Sequence, residues 1–368
     1  MNLQKSLIFL FLLFSCSLNE FQKRIFTQAY TEKDISHSNL EKITITTVNS
    51  AQGKLEPTQH NINLKNEQYS YYTGGIRYLR AYLKTFKENN PGSLIFHTGN
   101  ILNKKKSYSL SEKELFLKRL KQLPIDGVSL HNFDFFELKK SLKEDLYVNS
   151  NTLKVKDLKN VQTPEISPYK IFNDHDLRIA LVSVTNYDAV KNEKSYDLTG
   201  LYYEDPILRV LKSKKIFEKE KIDFFILSLN LDDHDTKCRS PFENLLHKEN
   251  QAINCPDKDP LSELIKRIPP NTVDLIISSG DTFIQGKIHN IPVLQNPNGL
   301  DYFSKVSFYY DKKSKKIKKN LTKFHRPVQV CHFFFYETQD CFIPQRHNEK
   351  KVLSSRTTKL KENGFRKK

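Results

Sequence analysis

The sequence predicts an α/β fold, and three observations carry the prediction. Short β-branched or wholly apolar runs recur along the chain, separated by segments whose apolar residues fall at helical spacing. The chain has 368 residues, 38% of them hydrophobic and 11% aromatic, enough to bury a large core. It has only 11 glycines and no G-x-G-x-x-G or Walker-type lysine loop, which argues against the common glycine-rich nucleotide cradles.

The elements follow in order. Ile43 to Val48 is β-branched throughout and reads as a strand that stops at Asn49-Ser50. Gly74-Gly75 opens a segment with Ile76, Leu79, Tyr82, Leu83 and Phe86 at helical spacing. Ser93 to His97 is a second buried strand, stopped by Gly99. Val128-Ser129-Leu130, Leu177 to Val184, Phe224 to Ser228 and Val273 to Ile277 continue the series, with a helix over Glu112 to Gln122 between the first strands. Strand, loop and helix in repetition place functional positions at the strand ends. Tyr302 to Lys319 reads as a hairpin with a lysine-rich turn. Beyond it, Val328 to Phe342 is aromatic and bracketed by cysteines, and Gln345 to Lys368 is a basic tail without apolar periodicity.

Charge and the N-terminus speak to compartment. Lys and Arg total 59 against 42 Asp and Glu, a net charge of +17. Lys5 precedes the apolar run Leu7 to Phe14, too short to span a bilayer comfortably and suited to a secretory signal. Leu13-Phe14-Ser15-Cys16 resembles a bacterial lipobox, so residues 1–15 are expected to be a lipoprotein signal peptide, with lipidation at Cys16; a plain signal peptide cut nearby is the alternative. Residues 16–40 are then a tether. Removing the signal takes away only Lys5, so the basic character belongs to the remainder.

Cys238, Cys255, Cys331 and Cys341 remain, an even number in a chain sent to an oxidising space. Proximity in sequence favours Cys238–Cys255 and Cys331–Cys341, although four cysteines allow three pairings. None has the paired C-x-x-C spacing of a zinc site.

The order of strand-end sequences resembles the calcineurin-like metallophosphoesterase domain of secreted 5′-nucleotidases, over about Lys42 to Ile317. The family's Asn-Asp-x-His-Gly-x-Leu stands as Asn49-Ser50-Ala51-Gln52-Gly53-Lys54-Leu55, and its Asp-x-Gly-Asp as His97-Thr98-Gly99-Asn100. Asp-Ala-Val-x-x-Gly-Asn-His-Glu-Phe-Asp aligns on Asp126 to Phe136. The Ser-x-x-Asn strand is close to Tyr147 to Asn151, Leu-Ser-His becomes Ser228-Leu229-Asn230, and Gly-His-Thr-His becomes Gly280-Asp281-Thr282-Phe283, followed by Ile291 to Gln295 and Gly299. The resemblance implies a four-layer α/β/β/α sandwich over residues 41–320, with residues 321–368 as a short extra segment.

The same alignment argues against the family's chemistry. Its site implies two divalent cations bridged by a carboxylate, which generate the hydroxide that attacks phosphorus. The residues in the ligand positions are Ser50, Gln52, Asn100, Asn132, Asn230, Asp281 and Phe283; only Asn132 is the family's residue, and only Asp281 is charged at neutral pH. One carboxylate and neutral amides cannot offset the desolvation of two hard cations. The histidine that would assist the leaving group falls at Phe133, which cannot move a proton. In a locally slipped register His131 takes that place and Asp134 the closing aspartate, but no bridging carboxylate returns. No metal or other cofactor is therefore expected; a phosphatase with unusual ligands would need two ions such as manganese, zinc or magnesium.

Other clusters carry less. Asp232-Asp233-His234-Asp235 and Asn173-Asp174-His175-Asp176 read as solvated turns, His97 as a hydrogen-bonded structural histidine, and no G-x-S-x-G elbow exists. Lys312, Lys313, Lys315, Lys316, Lys318, Lys319 and Lys323 crowd one turn, and the residues from Arg346 carry nine Lys and Arg against two Glu. For an exported chain the nearest anionic partners are membrane lipids and envelope polymers; nucleic acid is not expected, and no protein partner can be named. The sequence thus predicts an exported lipoprotein of the bacterial cell envelope, a pseudo-phosphoesterase acting as a binding or scaffold module. Its rival is an active metal-dependent phosphatase or 5′-nucleotidase-like hydrolase.

Overall fold

The computed structural model describes residues 39–49, 51–64, 67–103, 105–161, 165–174, 176–186, 201–231, 236–240, 253, 255–335 and 357–359. Cys16, Ser50, His175, the Asp232 to Asp235 loop and Cys341 lie outside them, as does the side chain of Asn132.

In chain order the elements are β1 (Leu40–Val48), a hairpin of β2 (Thr58–Leu64) and β3 (Glu67–Thr73), α1 (Ile76–Asn89), β4 (Leu94–His97), α2 (Leu110–Leu120), β5 (Gly127–Ser129), α3 (Asn132–Leu138), β6 (Tyr147–Val148), β7 (Thr152–Lys154) and β8 (Ile166–Ser167). There follow β9 (Lys170–Asp174), β10 (Leu177–Thr185), β11 (Leu201–Tyr203), α4 (Pro206–Lys219), β12 (Phe224–Asn230), α5 (Pro260–Lys266), β13 (Leu275–Ser279), β14 (Ile284–Ile288) and β15 (Ile291–Asn296). The last are β16 (Tyr302–Asp311), β17 (Lys316–Ile317), β18 (Lys323–Gln329), β19 (Phe333–Phe335) and β20 (Thr357–Lys359).

Two sheets dominate. The first has the order β17-β16-β1-β4-β5-β6-β8, with β18 also on β16; the second has the order β14-β15-β13-β12-β10-β9. Their centres are parallel: β1 with β4, β4 with β5, β10 with β12, and β12 with β13. Three buried clusters show how they stack. Ile43, Ile45, Phe96, Ile179, Ile226 and Phe308 interdigitate between the sheets. Leu79, Leu83 and Phe86 of α1 and Phe116 of α2 cover the outer face of the first sheet. Val210 and Phe217 of α4 and Leu261 and Ile265 of α5 cover the second. The layers therefore run α/β/β/α, and strands buried on both faces explain why the sequence shows continuous apolar runs rather than alternation.

Local sequence fixes the helix starts. Ser109 and Glu112 form a reciprocal capping box, which starts α2 two residues before the predicted Glu112. Asp205 before Pro206 caps α4 and Asp259 before Pro260 caps α5, each accepting two backbone N–H bonds. Such a cap contributes about 1 kcal/mol. At α1 a glycine serves instead: Gly75 has φ +86°, and a Cβ there would lie 2.7 Å from the Pro57 nitrogen.

The hairpin lies where the sequence puts it, and the sheet runs on beyond it. The predicted hairpin over Tyr302 to Lys319 is β16 and β17, with Asp311 opposite Lys316. The sheet does not stop at residue 320, because β18 pairs along β16 from Ser307–Lys323 to Tyr302–Gln329, and Cys331 bridges back to Thr73. Residues 323–329 are thus built into the first sheet, and Cys331 meets the β2–β3 hairpin. Cys238 is joined to Cys255. Cys331 is disulfide-bonded as well.

Candidate functional site

The carboxyl ends of the parallel strands in both sheets meet along one rim, the place where open α/β sheets bind ligands. The residue that joins the two sheets there is Asn49, one step past β1. Its Nδ2 donates to the Ser278 carbonyl at 3.2 Å and to the Asn296 carbonyl, and its Oδ1 accepts from Thr98 Oγ1 at 2.9 Å. Asn296 answers across the gap, donating to the Thr47 carbonyl at 3.0 Å. Both side chains are buried, so these bonds satisfy backbone groups that would otherwise be stranded.

The loop after β4 is bent by two consecutive left-handed residues, Gly99 at φ +88° and Asn100 at φ +52°. A short-side-chain amide tolerates that conformation and glycine adopts it freely. The bend brings Gln52 N to the Asn100 carbonyl at 2.9 Å and presents two backbone donors, Ile101 N and Leu102 N, to the buried carboxylate of Asp134 at 2.9 and 3.0 Å. Asp134 thereby spends its charge on loop closure rather than on an ion.

His131, the N-terminal flanking residue of α3, fills the space beside that loop. Its ring lies so close over Gly99 that a Cβ there would stand 2.6 Å from three ring atoms. Its Nδ1 is 3.1 Å from Asn100 Oδ1; with the amide oxygen as acceptor, the imidazole proton is on Nδ1. His97 lies next to it, its Nδ1 accepting from Gly99 N at 3.1 Å, which leaves the proton on Nε2. Both imidazoles are fully buried and neutral. Burial pushes the His97 pKa down to about 4, and burial plus repulsion from His97 holds His131 well below the ordinary histidine range.

The remaining predicted positions do not converge on this pair. Asn230, buried at the end of β12, accepts from Ser279 Oγ at 3.5 Å. Asp281 is exposed and takes a hydrogen bond from Asn298. Phe283 packs edge-on against Tyr302, with centroids 4.9 Å apart. Phe133 is half-buried against the α1-side core, so the imidazole that reaches Asn100 is that of His131. Among the described residues, no three His, Cys, Asp or Glu side chains gather in a way that could hold a metal ion. Among the described positions the donors do not fit a pair of divalent cations: Asn100, where the resemblance puts the bridging carboxylate, offers an amide already engaged by an imidazole, and Asp281 faces solvent.

Sequence reasoning missed the amides that organise the rim. Asn151 donates to the Thr185 and Glu204 carbonyls and accepts from Thr185 N, and Asn149 donates to the Leu130 carbonyl. Gln295 donates to Thr282 at 3.1 Å and stands where a side chain on Gly280 would go. The available signal was an asparagine at the end of a strand run, at Asn49, Asn149 and Asn296.

No family profile and no curated protein matches the sequence. Solved structures do match. The NAD nucleotidase NadN of Haemophilus influenzae aligns with a TM-score of 0.58 at 15% identity, over 86% of this chain and 55% of its own. The 5′-nucleotidase precursor of Thermus thermophilus aligns at 0.54 and 13%, over 85% and 58%. The calcineurin-like phosphoesterase YfkN of Bacillus subtilis aligns at 0.53 and 14%, over 79% and 91%. The chain thus has the fold of 5′-nucleotidases and calcineurin-like phosphoesterases, and spans little more than half the length of the two nucleotidases.

Proposed function

We propose that this chain is an exported, lipid-anchored protein of the bacterial cell envelope. In it a phosphoesterase fold serves as a binding or scaffold module without two-metal hydrolysis. The observation that carries the reading is His131, whose neutral ring sits on Gly99 and bonds Asn100, the position where the fold's relatives are expected to place a bridging carboxylate. An imidazole with a pKa held this low brings no charge to the rim at neutral pH, and the amides around it are committed to backbone groups. What remains is a hydrogen-bonded surface whose carboxylates are already engaged, Asp134 by backbone N–H groups and Asp281 by Asn298, with no group poised to activate water. Export and anchoring rest on the Leu7 to Phe14 run and Cys16, and accord with the buried Cys238–Cys255 disulfide.

The test is elemental analysis of the purified full chain together with a screen of phosphomonoesters and phosphodiesters in added manganese, zinc or magnesium. The expected outcome is substoichiometric metal and no turnover. Stoichiometric metal with turnover that disappears in Asp281→Ala would overturn the proposal in favour of a metal-dependent phosphatase.

A further inference from the structure

The two ends of β1 differ in chemistry, and the end opposite the rim has not been assigned a role. Between Asp311 and Lys323 the chain carries seven lysines and one acid. The β16–β17 turn that holds most of them lies against the start of β1: Lys312 N donates to the Asn39 carbonyl at 3.0 Å, and Leu40 pairs with Asp311. Residue 39 is where the segment running from Cys16 joins the domain. From Leu40 to Val48 an extended strand covers about 26 Å, so the lysine turn and the tether junction share one end while Asn49, His97 and His131 lie at the other.

The turn is also rigid and over-supplied with cations. Asp311 accepts from Lys313 N and Ser314 N at 2.9 and 3.3 Å, which sets the loop, and pairs with Lys318 at 2.9 Å. Glu41 pairs with Lys312 and Asp274 with Lys319. Asp311, Glu41 and Asp274 are thereby each matched to a lysine, while Asp223, also at this end, accepts from Arg178 N. Lys313, Lys315 and Lys316 are exposed and have no acidic partner within ion-pair distance among the described residues.

We infer that this lysine turn is a docking surface for an anionic lipid bilayer, placed beside the tether junction so that the bound domain holds its strand-end rim away from the membrane. Lysines near an anionic leaflet each contribute about 1 kcal/mol, an attraction that falls away within a Debye length, so only a patch held against the surface by geometry or by a tether gains it. The orientation rests on the anchored reading above; the affinity of the turn for headgroups does not.

The test uses the full chain carrying Cys16→Ser, which removes lipidation, and sedimentation with vesicles of phosphatidylcholine alone or mixed with phosphatidylglycerol. The apolar N-terminus gives a background common to both vesicle types, and the readout is the difference between them. Binding to the anionic vesicles is expected to exceed that to neutral ones and to weaken with added salt. Lys313→Glu/Lys315→Glu/Lys316→Glu is expected to cut that excess about tenfold or more. Lys154→Glu/Lys156→Glu/Lys159→Glu, the same charge change in the exposed residues after β6 at the rim end, is expected to leave it unchanged. An equal loss in both variants reduces the effect to net charge and overturns the proposal, as does no loss in the first. Tight binding to polyphosphate without vesicle binding would assign a soluble polyanion instead and also overturn it. Acylation of Cys16 in the unsubstituted chain is read separately, by labelled fatty acid; its failure would sink the anchor and leave the vesicle result standing.

Discussion

The two ends of β1 form a natural experiment in charge placement. At the Asn49 end, the described positions that resemble metal ligands carry the amides of Gln52, Asn100 and Asn230, Phe283 and an exposed Asp281, with two neutral imidazoles beside them. Asn49, Asn100 and Asp281 are hydrogen-bonded within the protein, while Nε2 of His97 and of His131 is buried without a hydrogen-bond partner among the described residues. At the Leu40 end, lysines outnumber acids and face solvent. The rim contributes to stability through buried polar contacts and its carboxylates are engaged there; the lysine end is cationic and contributes little stability. Buried polar groups are costly to disturb because their partners cannot turn to water, whereas exposed charges exchange one solvated state for another.

Substitutions can break or sharpen this contrast. The largest effect is expected at Gly99→Ala, which combines a left-handed φ with a collision against the His131 ring. A loss of about 3 kcal/mol or more in denaturant unfolding is expected, and the double variant Gly99→Ala/His131→Ala should recover part of it. Asn49→Ala strands the Ser278 and Asn296 carbonyls and the Thr98 hydroxyl, and is expected to cost about 2–3 kcal/mol by the same measurement.

Between pH 7 and pH 5 acid should act at the rim, whereas Asp311 at the lysine end, held far below the ordinary carboxylate range by its bonds from Lys318 and Ser314, loses its contribution only at lower pH. The folded pKa of His97, about 4, lies below the ordinary 6.5, so the unfolded chain binds more protons between those values and stability rises with pH there. Stability is therefore fully present above about pH 6.5 and is lost as the pH falls toward 4, by on the order of 3 kcal/mol for His97. Urea midpoints at pH 7 and pH 5 check this, and in His97→Asn/His131→Asn the difference should shrink. The smallest effect is expected at the other end: Lys313→Ser/Lys315→Ser/Lys316→Ser should change stability by no more than about 0.5 kcal/mol.

The same contrast explains what the sequence disclosed. Ile43 to Val48, Leu177 to Val184 and Phe224 to Ser228 were legible because strands buried on both faces must be apolar at every position. The β2–β3 hairpin was not, since its sequence, with residues such as His60, Asn61 and Gln68, carries little β-branched signal. Nor was the β14–β15 turn, where His289 and Asn290 take φ +47° and +66° without a glycine to announce it. At the rim, the neutral character of Gln52, Asn100 and Asn230 was readable residue by residue. The lodging of His131 against Gly99 was not, because it depends on how the loop after β4 meets the start of α3, two segments more than thirty residues apart. The asparagine locks escaped for the same reason: Asn49 meets Ser278 and Asn296 across the gap between two sheets.

The central claim is that an imidazole and amides stand where a two-metal centre would. Crystals of the full chain soaked in manganese and measured at a wavelength where manganese scatters anomalously test it most directly. No anomalous peak is expected within coordinating reach of Asn100, with the His131 ring still seated on Gly99. A peak there, accompanied by displacement of that ring, would contradict it.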